Sequence, residues 1–165
     1  MDPFKSEIAE AAQKHILDPD LVAAFCCVES SFNPQAVRYE AKFHKKYIDP
    51  HPLYAYLDTK IQFLLSSSLG LMQVMGVLAH ELGLPIARLS EMYQPATGLD
   101  YGCKKLKILF DRYADTSANP ERLITHVISA YNAGNVRFKK DGKYVNQPYV
   151  DKVWAKYQEY RGQRG

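Results

Sequence analysis

Little in this sequence suits a membrane span, a disulfide scaffold or a metal site. No apolar run approaches the ~20 residues that cross a bilayer; the nearest, Leu21 to Val28, breaks at once on Glu29. Cysteine is scarce: Cys26 and Cys27 are adjacent and Cys103 is remote, an odd set from which no disulfide framework is built. Such cysteines fit synthesis in a reducing compartment. No Cys and His cluster has zinc-ligand spacing and no glycine-rich loop is placed to cradle phosphate, so neither a metal nor a cofactor is implied. The stretch from Met1 to Glu7 lacks the basic start and apolar core of a secretory leader, so the expectation is cytoplasmic synthesis without an evident signal peptide. Repeats, low-complexity segments and linkers are also missing, which leaves a single domain over residues 1–165 as the expected organisation.

Neither sign of charge dominates. With 21 basic against 18 acidic residues the net charge is +3, which mildly favours anionic polymers or surfaces and does not choose among them. The 47% hydrophobic and 24% charged content is that of an ordinary folded chain, which excludes a disordered or fibrous one.

Strand-like alternation is nearly absent, and apolar residues recur at helical spacing instead, so a mainly α fold with little or no β structure is expected. Ile8, Ala11, Ala12 and Ile16 predict a first helix between Phe4 and Leu17. Asp18-Pro19 supplies a cap and a proline start for a second, with a core stripe at Leu21, Phe25, Val28 and Phe32 and an end at Asn33-Pro34. Residues 39 to 66 read as an aromatic-rich insertion of loops and short helices. Met72, Met75, Leu78, Ala79 and Leu82 predict a helix from Gly70 to Leu82, and two more helices open at Gln94-Pro95 and Asn119-Pro120. The last of these closes at Gly134, and a basic loop from Arg137 to Lys143 leads to a final helix, Tyr149 to Tyr160.

Glu29 falls in the last turn of the second helix, beside an apolar face. Helix-end carbonyls and desolvation both favour a protonated carboxyl, which is what a general acid requires. By position alone the more ordinary reading of Glu29 is a solvated boundary residue, since Glu is rarely buried. Three strings change the reading: Glu29-Ser30-Ser31-Phe32-Asn33-Pro34-Gln35-Ala36, then Ser68-Leu69-Gly70-Leu71-Met72-Gln73-Val74-Met75, then Ala130-Tyr131-Asn132-Ala133-Gly134. In that order they resemble the lytic transglycosylase (SLT) domain and goose-type lysozyme family, and Tyr149-Val150-Asp151-Lys152-Val153 is similar to its closing helix, so the likeness covers about residues 18 to 156.

The resemblance implies a lysozyme-like helical domain with a substrate cleft, acting on peptidoglycan glycan strands. It implies Glu29 as catalytic acid and base, Tyr131 facing it, and Ser30, Ser68, Gly70, Met72, Gln73 and Asn132 lining the sugar site. Each has a plainer reading: Met72 as core filler, Tyr131 as core, Ser30 as a turn residue, Asn132 as part of a helix ending. Arg38 stands where many members carry a serine. Arg38-Tyr39-Glu40 is similar to strings in phage-type members, which makes Glu40 a second carboxylate or substrate contact, or else a surface residue positioning Arg38.

Two activities follow. A lytic transglycosylase needs only Glu29 and leaves 1,6-anhydro ends; a goose-type hydrolase would add Glu40, Asp49 or Asp58 to hold a water. A non-catalytic wall-binding domain is the alternative of another class, and a DNA-binding role for Arg137, Lys139, Lys140 and Lys143 is remoter, since a solvated turn explains them. The expected partner is the wall rather than nucleic acid, without stable membrane insertion, for a monomer acting in phage lysis or on a virion.

Overall fold

The computed structural model describes residues 3–163; Met1 and Asp2 of the stretch read for a leader, and Arg164 and Gly165, lie outside the described residues. Eight α-helices carry most of it: α1 (Lys5–His15), α2 (Pro19–Ser30), α3 (Ala41–Phe43), α4 (Thr59–Leu65), α5 (Gly76–Glu81), α6 (Pro95–Tyr113), α7 (Pro120–Ala133) and α8 (Gln147–Gly162). About 66% of the chain is helical, so the mainly α reading holds. By its internal contacts the chain forms two compact units, one from Glu29 to Gly102 with the residues up to Glu7, the other from Ile8 to Val28 with the chain from Cys103 onward.

The first unit is built on a small antiparallel sheet, β1 (Val37–Tyr39), β2 (Ser67–Leu69) and β3 (Val74–Met75), in that order. Arg38 lies opposite Ser68, and Ser68 opposite Met75. The helix expected from Gly70 to Leu82 is therefore not one piece. Residues 70–73 are a turn, and only Gly76–Glu81 is helical. Gly70 (φ 71) and Gln73 (φ 49) hold left-handed backbone that a right-handed helix cannot contain. The apolar spacing misled because a short hairpin buried on both faces repeats apolar residues as densely as a helix does. Leu65, Leu69, Leu71, Met72, Leu89 and Leu99 form the interior of this unit, with α4 packed on α5 and on the 3-10 turn Ile86–Tyr93. The insertion folds as short helices and turns, as expected, and stacks Tyr39 on Phe63 with ring centres 5.2 Å apart.

The second unit buries Leu21, Val22 and Phe25 of α2, Leu106 and Leu109 of α6, Val127 and Ile128 of α7, and Val150 and Val153 of α8. At about 1.5–3 kcal/mol for each large apolar side chain taken from water, this layer dominates the unit's stability. The starts of α2 and α7 are those the sequence announces, whereas α8 begins at Gln147, two residues before the expected Tyr149. Asp18 Oδ1 accepts the Asp20 N–H at 2.9 Å, and Asn119 Oδ1 accepts from Glu121 and Arg122. Tyr157 of α8 donates to the other Asp18 oxygen at 2.7 Å, and burial together with this bond pushes its phenol up to about 12.

Two helix ends differ from expectation. Ile16, placed above on the core stripe of α1, lies beyond the helix at φ 56 and is 86% exposed. It occupies the position after a helix end where glycine is favoured, with Leu17 N–H donating to Ala12 O across it at 2.9 Å. In α2 the helix stops at Ser30 rather than running to Phe32, because Ser31 (φ 51) and Phe32 (φ 60) are both left-handed.

Candidate active site

The helix that carries Glu29 ends one residue later, and the string from Glu29 to Ala36 is tied to the second string by three hydrogen bonds. Ser30 Oγ donates to Leu71 O at 2.8 Å. Ala36 O accepts from both the Gly70 N–H at 2.9 Å and Gln73 Nε2 at 3.1 Å. Glu29 itself is half-buried. Three of the four non-glycine residues with positive φ among the described residues, Ser31, Phe32 and Gln73, belong to these two strings. Each such residue costs on the order of 1–3 kcal/mol, so their concentration marks a place where backbone direction matters more than local stability.

Gly70 has no substitute in this arrangement. Its φ is 71, and a Cβ would sit 2.3 Å from Met92 O, well inside contact distance. Gln73 is 9% exposed and its amide also donates to Gly70 O at 3.0 Å. Both donors being engaged, what Gln73 can offer a sugar is its Oε1 acceptor. Met72 is fully buried, and the Cα of Gly102 is seated against its side chain, so a Cβ there would meet Sδ.

Ser68 lies in β2, 3% exposed, with its hydroxyl on Met75 Sδ at 3.4 Å. Glu40 donates its backbone N–H to Ser66 O at 3.0 Å, and its Oε1 accepts from Arg38 Nε at 2.6 Å. Asp49 pairs with His44 Nε2 at 3.0 Å, and Asp58 caps α4 by accepting the Lys60 N–H at 2.8 Å. Every acidic side chain weighed above as a second carboxylate thus has a partner.

In the second unit Tyr131 is 4% exposed near the end of α7. Its ring packs on Phe25 with centres 4.5 Å apart, and the Lys105 ammonium lies 3.6 Å above it. Together these contacts are worth about 1–3 kcal/mol and fix the ring plane. Asn132 Oδ1 accepts from Asn146 Nδ2 at 2.9 Å. Gly134 closes the helix at φ 80, in the capping role its sequence position suggests.

Lys105 escaped the sequence reading because Lys104-Lys105 looks like a solvated face of α6. Ser31, Phe32 and the Ala36 carbonyl escaped it because backbone conformation and backbone acceptors leave no side-chain signature. Among the described residues no group of three or more His, Cys, Asp or Glu is gathered as a metal ion would require.

A largely helical domain with a small antiparallel sheet beside a helix-terminal glutamate is of the lysozyme-like class. The chain belongs to the transglycosylase SLT domain family, whose profile matches residues 6–153. It is similar to proteins named membrane-bound lytic murein transglycosylase C. The Haemophilus influenzae Rd protein is 30% identical over 135 residues, covering 77% of this chain and 30% of its own. Those of Histophilus somni 2336 and Mannheimia succiniciproducens are 29% and 27% identical, with 30% and 31% of their lengths covered. The chain thus spans under a third of the curated relatives it matches. Among its described residues no helix is long and apolar enough to cross a membrane.

Proposed function

We propose that this chain is a peptidoglycan lytic transglycosylase that breaks the bond between N-acetylmuramic acid and N-acetylglucosamine with Glu29 as its only catalytic carboxyl. Glu29 protonates the glycosidic oxygen as that bond breaks, and positive charge develops at C1 and the ring oxygen. The resulting carboxylate removes the proton of the muramoyl C6 hydroxyl, whose oxygen bonds to C1. A 1,6-anhydro end forms, Glu29 is again protonated, and no water enters. Gln73 Oε1 accepts from a sugar hydroxyl or N-acetyl N–H, and Tyr131, its plane held by Phe25 and Lys105, takes the part that the family resemblance assigns to it. Ser30, Ser68, Gly70 and Met72 build the turn that presents Gln73, and Asn132 ties the end of α7 to Asn146.

What carries this reading over hydrolysis is the likeness to proteins named membrane-bound lytic murein transglycosylase C, beside which Glu40, Asp49 and Asp58 each have one oxygen engaged, by Arg38, His44 and the α4 backbone. Mass spectrometry of digested peptidoglycan tests the choice: anhydro-muramoyl ends are expected, and reducing ends would replace the proposal with a hydrolase. Glu29→Gln is expected to lower turnover by at least about 10²-fold, the range for loss of a general acid. Unchanged activity would remove Glu29 from the mechanism.

The same proposal includes a role in phage lysis or on a virion, on the strength of the Arg38-Tyr39-Glu40 string, and a monomer working as one catalytic domain. Lysis or tail genes beside its own gene are the expected finding.

A further inference from the structure

The basic loop expected after α7 is an ordered hairpin. Phe138 and Tyr144 form a β-bridge, Lys139 N–H donates to Lys143 O at 2.8 Å, and Val145 N–H donates to Arg137 O at 3.0 Å. The two bridged rings stack with centres 5.0 Å apart, Tyr144 buried and Phe138 48% exposed. Both feet are bolted down. Val136 N–H donates to Tyr113 Oη at 3.1 Å, and Asn146 bonds reciprocally with Ser129 and reaches Asn132. The hairpin therefore rises, without slack, from the helix end that carries Tyr131 and Asn132.

Its outward face is cationic. Arg137, Lys139, Lys140 and Lys143 are exposed, and among the described residues none of the four is in an ion pair. The single acid, Asp141, uses Oδ1 to accept the Lys143 N–H at 3.1 Å. A solvated turn has no need of this stiffness, and like charges held close repel unless an anion sits among them. We propose that the hairpin grips the free carboxylates of the peptide stems that branch from the glycan strand, with exposed Phe138 against their apolar side chains. This rests on the peptidoglycan reading above. Carboxylates suit the device because they recur along the same polymer whose sugar bond is cut, so a contact beside Tyr131 acts on the chain being cleaved.

The test uses a variant combining Lys139→Ser, Lys140→Ser and Lys143→Ser, and a second combining the same positions changed to Arg. Substrates are sacculi stripped of other wall polymers, either intact or freed of stems by an amidase. On intact sacculi the Ser variant is expected to raise KM about tenfold, what two or three exposed ion pairs supply together, with kcat within about twofold. The Arg variant keeps the wild-type KM, and on stem-free glycan all three proteins match. Added salt raises the wild-type KM on intact sacculi and that of the Ser variant, which keeps only Arg137, much less. Equal KM for wild type and Ser variant on intact sacculi, or an equal loss on both substrates, overturns the proposal. Pelleting of the Glu29→Gln protein with each kind of sacculus, with and without the Ser changes, reads the grip even if no bond is cut. Loss of pelleting on intact sacculi alone is expected. Unchanged pelleting, accompanied by loss of binding to short duplex DNA, would assign the lysines to nucleic acid and overturn the carboxylate reading.

Discussion

Ile16 and Gly70 both hold left-handed backbone, and only one of them has the residue that such backbone favours. A β-branched residue at φ 56 costs on the order of 1–2 kcal/mol, and with 86% of Ile16 exposed almost no burial compensates. Ile16→Asn is expected to stabilise the protein by about 1 kcal/mol, read as a higher urea midpoint at unchanged slope. A lower midpoint would mean that Ile16 makes contacts worth more than its strain. At Gly70 the same logic runs the other way. Gly70→Ala adds a Cβ 2.3 Å from a backbone carbonyl in left-handed backbone, so a loss of at least about 2 kcal/mol is expected, together with disturbance of the turn that presents Gln73. Sequence made Gly70 visible through its string. It could not make Ile16 visible, because apolar residues just past a helix end continue the helical count that placed it in the core.

Among the elements, the hairpin from Arg137 to Val145 leans on one histidine. His126 of α7 sits edge-on to Tyr113, Phe138 and Tyr144, with Nε2 buried without a hydrogen-bond partner among the described residues and Nδ1 3.5 Å from Thr116 Oγ1. Burial first, and the Arg122 charge second, hold it below the ordinary histidine value of 6.5. The unfolded chain takes up the proton near that ordinary value, while the folded chain resists it to lower pH. The contribution is thus complete above the unfolded value and is lost as pH falls through it toward the folded one. Between about pH 7.5 and about pH 5 the wild type should lose melting temperature, and His126→Phe, which fills the aromatic site without a titrating group, should lose less. Parallel curves would show that His126 does not control the loss. The hairpin also shows where element-level reading stopped. Its lysines were legible, but its order comes from Tyr113, His126 and Asn146, residues distant in sequence whose convergence has no local pattern. The starts of α2, α6 and α7 were legible because cap and proline are local devices, whereas the hairpin from Ser67 to Met75 depends on pairing with β1 across the insertion.

At the scale of the whole molecule the question is whether the chemistry is complete within this length of chain. The family profile fits inside residues 6–153, while the curated relatives named above extend to more than three times the matched length. Every group given a role here has its support within the chain: Glu29 and Gln73 through Ser30, Ala36 and Gly70, and Tyr131 through Phe25 and Lys105. None of these supports draws on the part of the relatives that lies outside the match. The purified chain alone should therefore release anhydro-muropeptides from sacculi in solution, with no lipid or partner added. Its initial rate should be first order in enzyme across about a hundredfold range of concentration, since an obligate assembly would give a steeper dependence. A rate that rises with the square of enzyme concentration, or one that appears only with membranes present, would show that part of the working site is supplied from outside this chain.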